Sequence, residues 1–386
     1  AAAGLLRYGF KRNNTCKNTL YMNFSHNNTG KRGEDDIMQQ KELDYVLERL
    51  KELLSIDSPT GFTEKAAEYV REQLEKDSIP VVRTAKGGVL ADLRAFAKKP
   101  SEGGAVLVSA HIDTLGAMVK SIKPNGRLKV TNVGGLAAAN TETENVTVYT
   151  RDGRTCCGTL QLCNPSLHVN KEAASQERNW DTVEVVLDEN VQSDKDTAAL
   201  GIENGCYVCV CPRSVITPSG YIKSRFLDDK LSAAILLGAA HELACGRKTA
   251  KEAYMHFTVY EEVGHGASGI CPEGVEEILG VDMGCVGDGL SCDERKVSIC
   301  ALDSSGPYNY AMTCRLKELA VKHGLGYAVD VYPYYGSDCS AAVRCSDIRH
   351  ALIGAGVYAS HGYERSHTEG VKNTYDLLTA YLCDEA

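Results

Sequence analysis

Residues 104–113 read GAVLVSAHID, an unbroken run of small and branched apolar residues that ends in His111 and Asp113. A strand with one solvated face alternates apolar and polar positions. This one does not, so it reads as a strand covered on both faces, as in a parallel sheet with helices above and below. Polar groups at the C-terminal end of such a strand fall where open α/β sheets keep their sites. The pattern recurs twice. HFTVYEE (256–262) closes on Glu261 and Glu262, and ILGVDMG (278–284) presents Asp282 after a short apolar run. Three strand ends therefore each deliver a carboxylate or an imidazole, and the fold expected is α/β.

Working outward, Leu43, Val46, Leu47, Leu50, Leu53 and Leu54 recur at helical spacing after Met38. DSPTG (57–61) breaks that helix, and Thr63 is placed to cap a second one carrying Ala67, Val70 and Leu74. Between about 120 and 216 the texture changes to short alternating stretches, with KPNGRLKV (123–130) and YTRDGRTCCGTL (149–160) as hairpins. This predicts a small all-β insertion. Helical spacing returns in SRFLDDKLSAAILLGAAHEL (224–243), with Asp228 just before the helix in a position suited to capping. The last third alternates helix and strand to a polar turn, ASHGYERSHTEG (359–370), before a final helix.

The 386 residues are 43% hydrophobic and 24% charged, a globular balance long enough for two domains. A formal charge of −9 and the lack of a basic patch argue against nucleic acid and anionic membrane as partners. The 16 cysteines are scattered through apolar runs like reduced core thiols, which implies a cytoplasmic protein. Cys206, Cys209 and Cys211 read as a core strand rather than a zinc ribbon, having no second paired half. No run of eighteen apolar residues occurs, so no membrane span is expected. Residues 1–37 are polar, lack a secretory apolar core, and are expected to be a disordered tail or to precede a start at Met38.

Adjacent like charges repel, so the Glu261–Glu262 pair needs a reason. Taken with the other strand ends it describes a two-metal site. His111 offers one imidazole, and Asp113, two residues along an extended chain, can accept from the other ring nitrogen. Asp228 could bridge two metals with its two oxygens, Glu262 and Asp282 could each complete one, and a late histidine, His361 or His367, would be the last ligand. Glu262 is then a ligand and its neighbour Glu261 a general base for water acidified by the metals.

The order H-x-D, L-D-D-K, E-E-V-G, V-D and R-x-H-T resembles the M42 family of metallo-aminopeptidases (glutamyl and tetrahedral types), related to the M18 aspartyl aminopeptidases; the match runs from about residue 40 to the C-terminus. SPTG (58–61), VGG (133–135), PSLH (165–168), LGIENGCYV (200–208) and YGSDCSAA (335–342) are similar to that family too. The resemblance implies a zinc-peptidase-like catalytic domain of residues 38–119 and 217–386. It also implies an inserted, PDZ-like or barrel-like assembly domain of residues 120–216. It implies two divalent metal ions per subunit, zinc first with cobalt or manganese as alternatives. One would be held by His111, Asp228 and Asp282, the other by Asp228, Glu262 and His367, which RSHTEG favours over His361. Asp228 is preferred to Asp229 as the bridge, because relatives can carry Asn at the second place. The implied reaction is attack of a metal-bridging hydroxide on peptides with a free N-terminus, with Glu261 as base and Asp113 orienting His111. The implied state is a homo-oligomer, possibly twelve subunits. One departure stands out, Lys230 in place of the family's Arg after the acids, and an M20-like deacylase, carboxypeptidase or metal-binding scaffold offers a competing reading.

Overall fold

The computed structural model describes residues 38–99 and 104–384; the tail expectation lies outside them. Residues Ala105–His111 form a strand with every position buried, as its composition requires. Alternate side chains feed two cores. Val106, Val108 and Ala110 join the larger one, while Ala105 and Leu107 join a second on the opposite face.

This strand lies between Ala253–Thr258 and Val275–Val281, and Arg349–Tyr358 follows; all four run parallel. Parallel strands end on the same edge, so the residues after each terminus are gathered along one line. Helices Gln40–Leu54, Leu227–Ala244 and Thr368–Cys383 cover the larger core, and all six leucine and valine positions named above in the first helix are buried. The short Asp338–Ala342 helix contributes Cys339 and Ala342 to the other. Thr63 does occupy the N-cap of Glu64–Lys76, but its hydroxyl makes no capping bond.

The all-β segment closes into a barrel of strands Gly116–Ile122, Leu128–Val133, Val183–Leu187, Thr155–Leu162, Asn145–Tyr149 and Tyr207–Val210, in that order around the wall. Both expected hairpins are present. Cys209 sits buried in a wall strand, the core role expected of it. The barrel grips the DSPTG turn: Tyr149 Oη donates to Asp57 at 2.8 Å, and Tyr207 Oη to the Thr60 carbonyl at 3.2 Å.

Candidate active site

Each of the four parallel strands delivers a group to the same edge. His111 ends the first, Glu261 and Glu262 follow the second, Asp282 follows the third, and His361 lies in the turn after the fourth. Asp228 and Asp229 enter from the helix packed on the sheet, joined by a cis peptide bond and non-helical in φ and ψ.

Asp228 turns its two oxygens in different directions. Oδ1 lies 3.1 Å from His111 Nε2, and Oδ2 lies 3.6 Å from His361 Nε2. Glu262 Oε2 is 3.7 Å from the same His361 nitrogen. Ligand atoms of His111, Asp228 and Glu262 fall within 4.8 Å of one another, as do those of His111, Asp229 and Asp282. Asp229 also accepts from the His111 backbone N–H at 3.2 Å, while its buried Oδ1 has no hydrogen-bond partner. Asp228 thus faces both histidines, while Asp229 lies against the His111 backbone.

Glu261 and Glu262 do not continue the strand, which stops at Thr258; they lie on one 3-10 turn, Glu261–Val263. At three residues per turn, neighbouring side chains diverge by about 120° rather than 180°, so both can face one cleft. Glu261 Oε2 stands 3.7 Å from His111 Nε2. Its backbone N–H donates to Asp113 Oδ1 at 3.2 Å, and Thr60 Oγ1 donates to Asp113 Oδ2 at 2.6 Å. Asp113 keeps its carboxylate beside the His111 ring, with Oδ1 3.6 Å from Nδ1, and makes further contacts. Its backbone carbonyl, 2.9 Å away, faces His111 Nδ1, and its carboxylate anchors the turn that carries Glu261.

His367, expected as the last ligand, lies elsewhere. Glu364–His367 runs antiparallel to the strand that ends near the site, so it travels away from the cleft. Three residues of extended chain cover about 10 Å. At its far end His367 Nε2 pairs with the Ser219 carbonyl at 2.9 Å, and Nδ1 accepts from Glu369 N at 3.0 Å, capping the last helix. The late histidine facing the acids is His361. Glu364, which sequence reasoning missed although it stands within the quoted SHGYERSHTEG, fixes both sides of that contact. It accepts from Asp228 N at 3.1 Å and from His361 N at 3.0 Å.

Lys230 does not face the acids either. It is buried and donates to the Ile56 carbonyl at 2.6 Å, with burial pulling its pKa down to about 8. This ties the start of the helix to the first helix's exit.

The electrostatics ask for cations. Burial, reinforced by neighbouring carboxylates, pushes Glu261, Glu262 and Asp229 well above the usual carboxylate range and Asp282 up to about 7. Asp228 alone moves down: burial opposes its charge, but the hydrogen bond and charge of His111 outweigh that. His111 rises well above its ordinary value because, against the burial that disfavours its charge, Asp113 and Asp228 hold the imidazolium. Among the described residues, the ion pairs of Asp228, Glu261 and Glu262 are with histidines only. Buried carboxylates in this number are tolerated when protonated or when they coordinate metal. The orphaned Asp229 oxygen and the N/O donor set fit divalent cations.

The profile of the M42 glutamyl aminopeptidases matches residues 94–377. The YhfE protein of Bacillus subtilis (strain 168) is 44% identical over 341 residues, 87% of this chain and 97% of that one. Lysyl aminopeptidase of Pyrococcus furiosus is 23% identical over 61% of this chain and 65% of its own length. Among solved structures, the TET aminopeptidase of a marine-sediment thaumarchaeon superposes with a TM-score of 0.78 at 18% identity, covering 88% of this chain and 96% of that one. The TET1 peptidase of Pyrococcus horikoshii, described as assembling into a tetrahedron or a large octahedral shell, superposes with a TM-score of 0.77 at 21% identity, covering 88% and 100%. These structures share the mixed sheet and inserted domain. The chain belongs to the M42 glutamyl aminopeptidase family and is a hydrolase of N-terminal peptide bonds.

Proposed function

We propose that this chain is a dinuclear metal-dependent aminopeptidase acting on peptides with a free N-terminus. The observation that carries the reading is Asp228, whose two oxygens face two histidines among acids otherwise short of positive charge. His111, Asp228 and Asp282 would hold one cation, and Asp228, Glu262 and His361 the other, with His361 taking the place expected of His367. Zinc, cobalt and manganese all suit such donors. When bound, the pair of cations supplies an acidified water and polarises the scissile carbonyl.

The chain's own residues do the rest. Glu261 is the general base: it takes a proton from water at its carboxylate and returns it to the leaving amine. Asp113 holds the Glu261 backbone and, through its carbonyl, the His111 ring, so base and imidazole keep a fixed separation. Glu364 holds Asp228 and His361 from behind. The main sheet and its helices form the catalytic unit, and the barrel between them, whose strands run from Gly116 to Val210 rather than over the expected 120–216, serves assembly into a homo-oligomer, as the shells described for the TET1 peptidase suggest.

The test is turnover of aminoacyl p-nitroanilides beside N-acylated amino acids, after chelation and restoration with each metal. Hydrolysis of the free-amine substrates alone, recovered with about two ions per chain, supports the reading. Activity that survives chelation, or preference for the acylated substrates, overturns it.

A further inference from the structure

We propose that the inserted barrel positions the last ligand: the loop between barrel strands Leu128–Val133 and Asn145–Tyr149, with the buried Arg225, clamps the 359–363 turn so that His361 faces Asp228 and Glu262. This rests on the reading of His361 as a metal ligand.

The turn needs holding. Ala359 and His361 adopt left-handed backbone, with φ of 58° and 63°. That conformation is unfavourable for residues with a Cβ and persists only where the surroundings over-determine it. Burial does not fix the imidazole, since the His361 side chain is 42% exposed.

The barrel side supplies the restraint. Asn140 Nδ2 donates to the His361 carbonyl at 3.1 Å. Arg225, 3% exposed, donates to the Gly362 carbonyl at 3.2 Å, to the Asn140 carbonyl, and to Glu144 at 3.1 Å. One planar guanidinium thus joins the barrel loop to the ligand turn, a task suited to its fixed fork of donors. Gly135 closes the remaining side: a Cβ there would stand 2.8 Å from His361 Nδ1, so barrel backbone lies flush against the ring. None of these contacts reaches Nε2, the atom turned toward Asp228 and Glu262. The clamp acts through the turn and not as a ligand, and the second metal position is completed across the junction of barrel and sheet.

Asn140→Asp tests this with minimal disturbance, because the residue is exposed and the change is isosteric while setting a carboxylate against the His361 carbonyl. Arg225→Met removes the fork and Arg225→Lys restores one donor. The metal-stripped full chain of each is titrated calorimetrically with Zn²⁺, with His361→Ala marking which binding class uses that histidine. In Asn140→Asp and Arg225→Met that class is expected to weaken by about ten- to a hundred-fold, as for other groups that orient metal ligands. The other class holds, Arg225→Lys recovers part of the loss, and kcat falls with KM retained. Two unaltered classes in Asn140→Asp, or both classes weakening together, would overturn the clamp. A wild-type chain that takes up no Zn²⁺ would instead remove the reading on which it rests.

Discussion

Replacing Glu261 by Gln separates base from ligand. The substitution keeps size and shape and removes the proton acceptor. The backbone is held independently of the side chain, its N–H by Asp113 and its carbonyl by Gly264 N at 2.6 Å, so the turn is expected to stay in place. Neither group of candidate metal-holding residues includes Glu261, so bound metal is expected to be retained. Loss of a general base costs about 10²–10⁴-fold, or roughly 3–5 kcal/mol at the transition state. The upper half of that range is expected here, because no neighbour is free to substitute: Glu262 turns toward His361, and Asp228 is shared between two histidines. The assay is kcat on an aminoacyl p-nitroanilide alongside metal analysis of the same preparation. Turnover near wild type would refute the assignment of the base, and loss of metal together with activity would move Glu261 into the ligand set.

Other outcomes follow from the same geometry. His361→Ala is expected to lose one metal and nearly all turnover, whereas His367→Ala keeps both and loses about 1 kcal/mol of stability with the helix cap, as read by urea unfolding and metal content. Burial lifts Asp376 to about 6, above its ordinary 3.8, where it accepts from Met38 N. A carboxyl raised in the fold favours the protonated state, so its contribution is present below pH 4 and is lost as pH climbs through 6. Asp376→Asn should therefore raise the melting temperature at pH 8 but not at pH 4, and a constant offset would contradict this. Stripping the metals is expected to lower the melting temperature at pH 8, with recovery on adding Zn²⁺ in a concentration-dependent manner, because bound cations stabilise only the folded chain.

The strand ends at His111, Glu261 and Asp282 were legible because an apolar run bounded by acids or imidazole needs only local pattern to be seen. The choice between His361 and His367 was not. It turns on the chain reversing direction after Tyr358, which sends Glu364–His367 away from the cleft, and no residue at either histidine announces that reversal. The further contacts of Asp113 were hidden for a related reason: spacing along an extended chain predicts that its carboxylate lies on the side of the His111 ring, 3.6 Å from Nδ1, but not that Thr60 and the Glu261 N–H also donate to it. The insertion was visible from its hairpins, while its closure into a barrel depends on pairing between Gly116–Ile122 and Tyr207–Val210, distant in sequence.

That closing pair has a consequence for how the protein could be remodelled. Ala117 pairs with Val208 and Met118 with Tyr207, so the chain leaves the barrel beside the point where it arrived. To the parent sheet the whole insertion is a short loop, and the entropy of closing it grows only slowly with the length carried on the far side. Hairpins remote from the junction are free to lengthen, shorten or diverge with little tax on the catalytic unit. Deletion of the entire barrel would be topologically easy too, yet it would take away Asn140, Glu144 and the backbone at Gly135, leaving a sheet that folds around an imidazole held only at its backbone by Glu364.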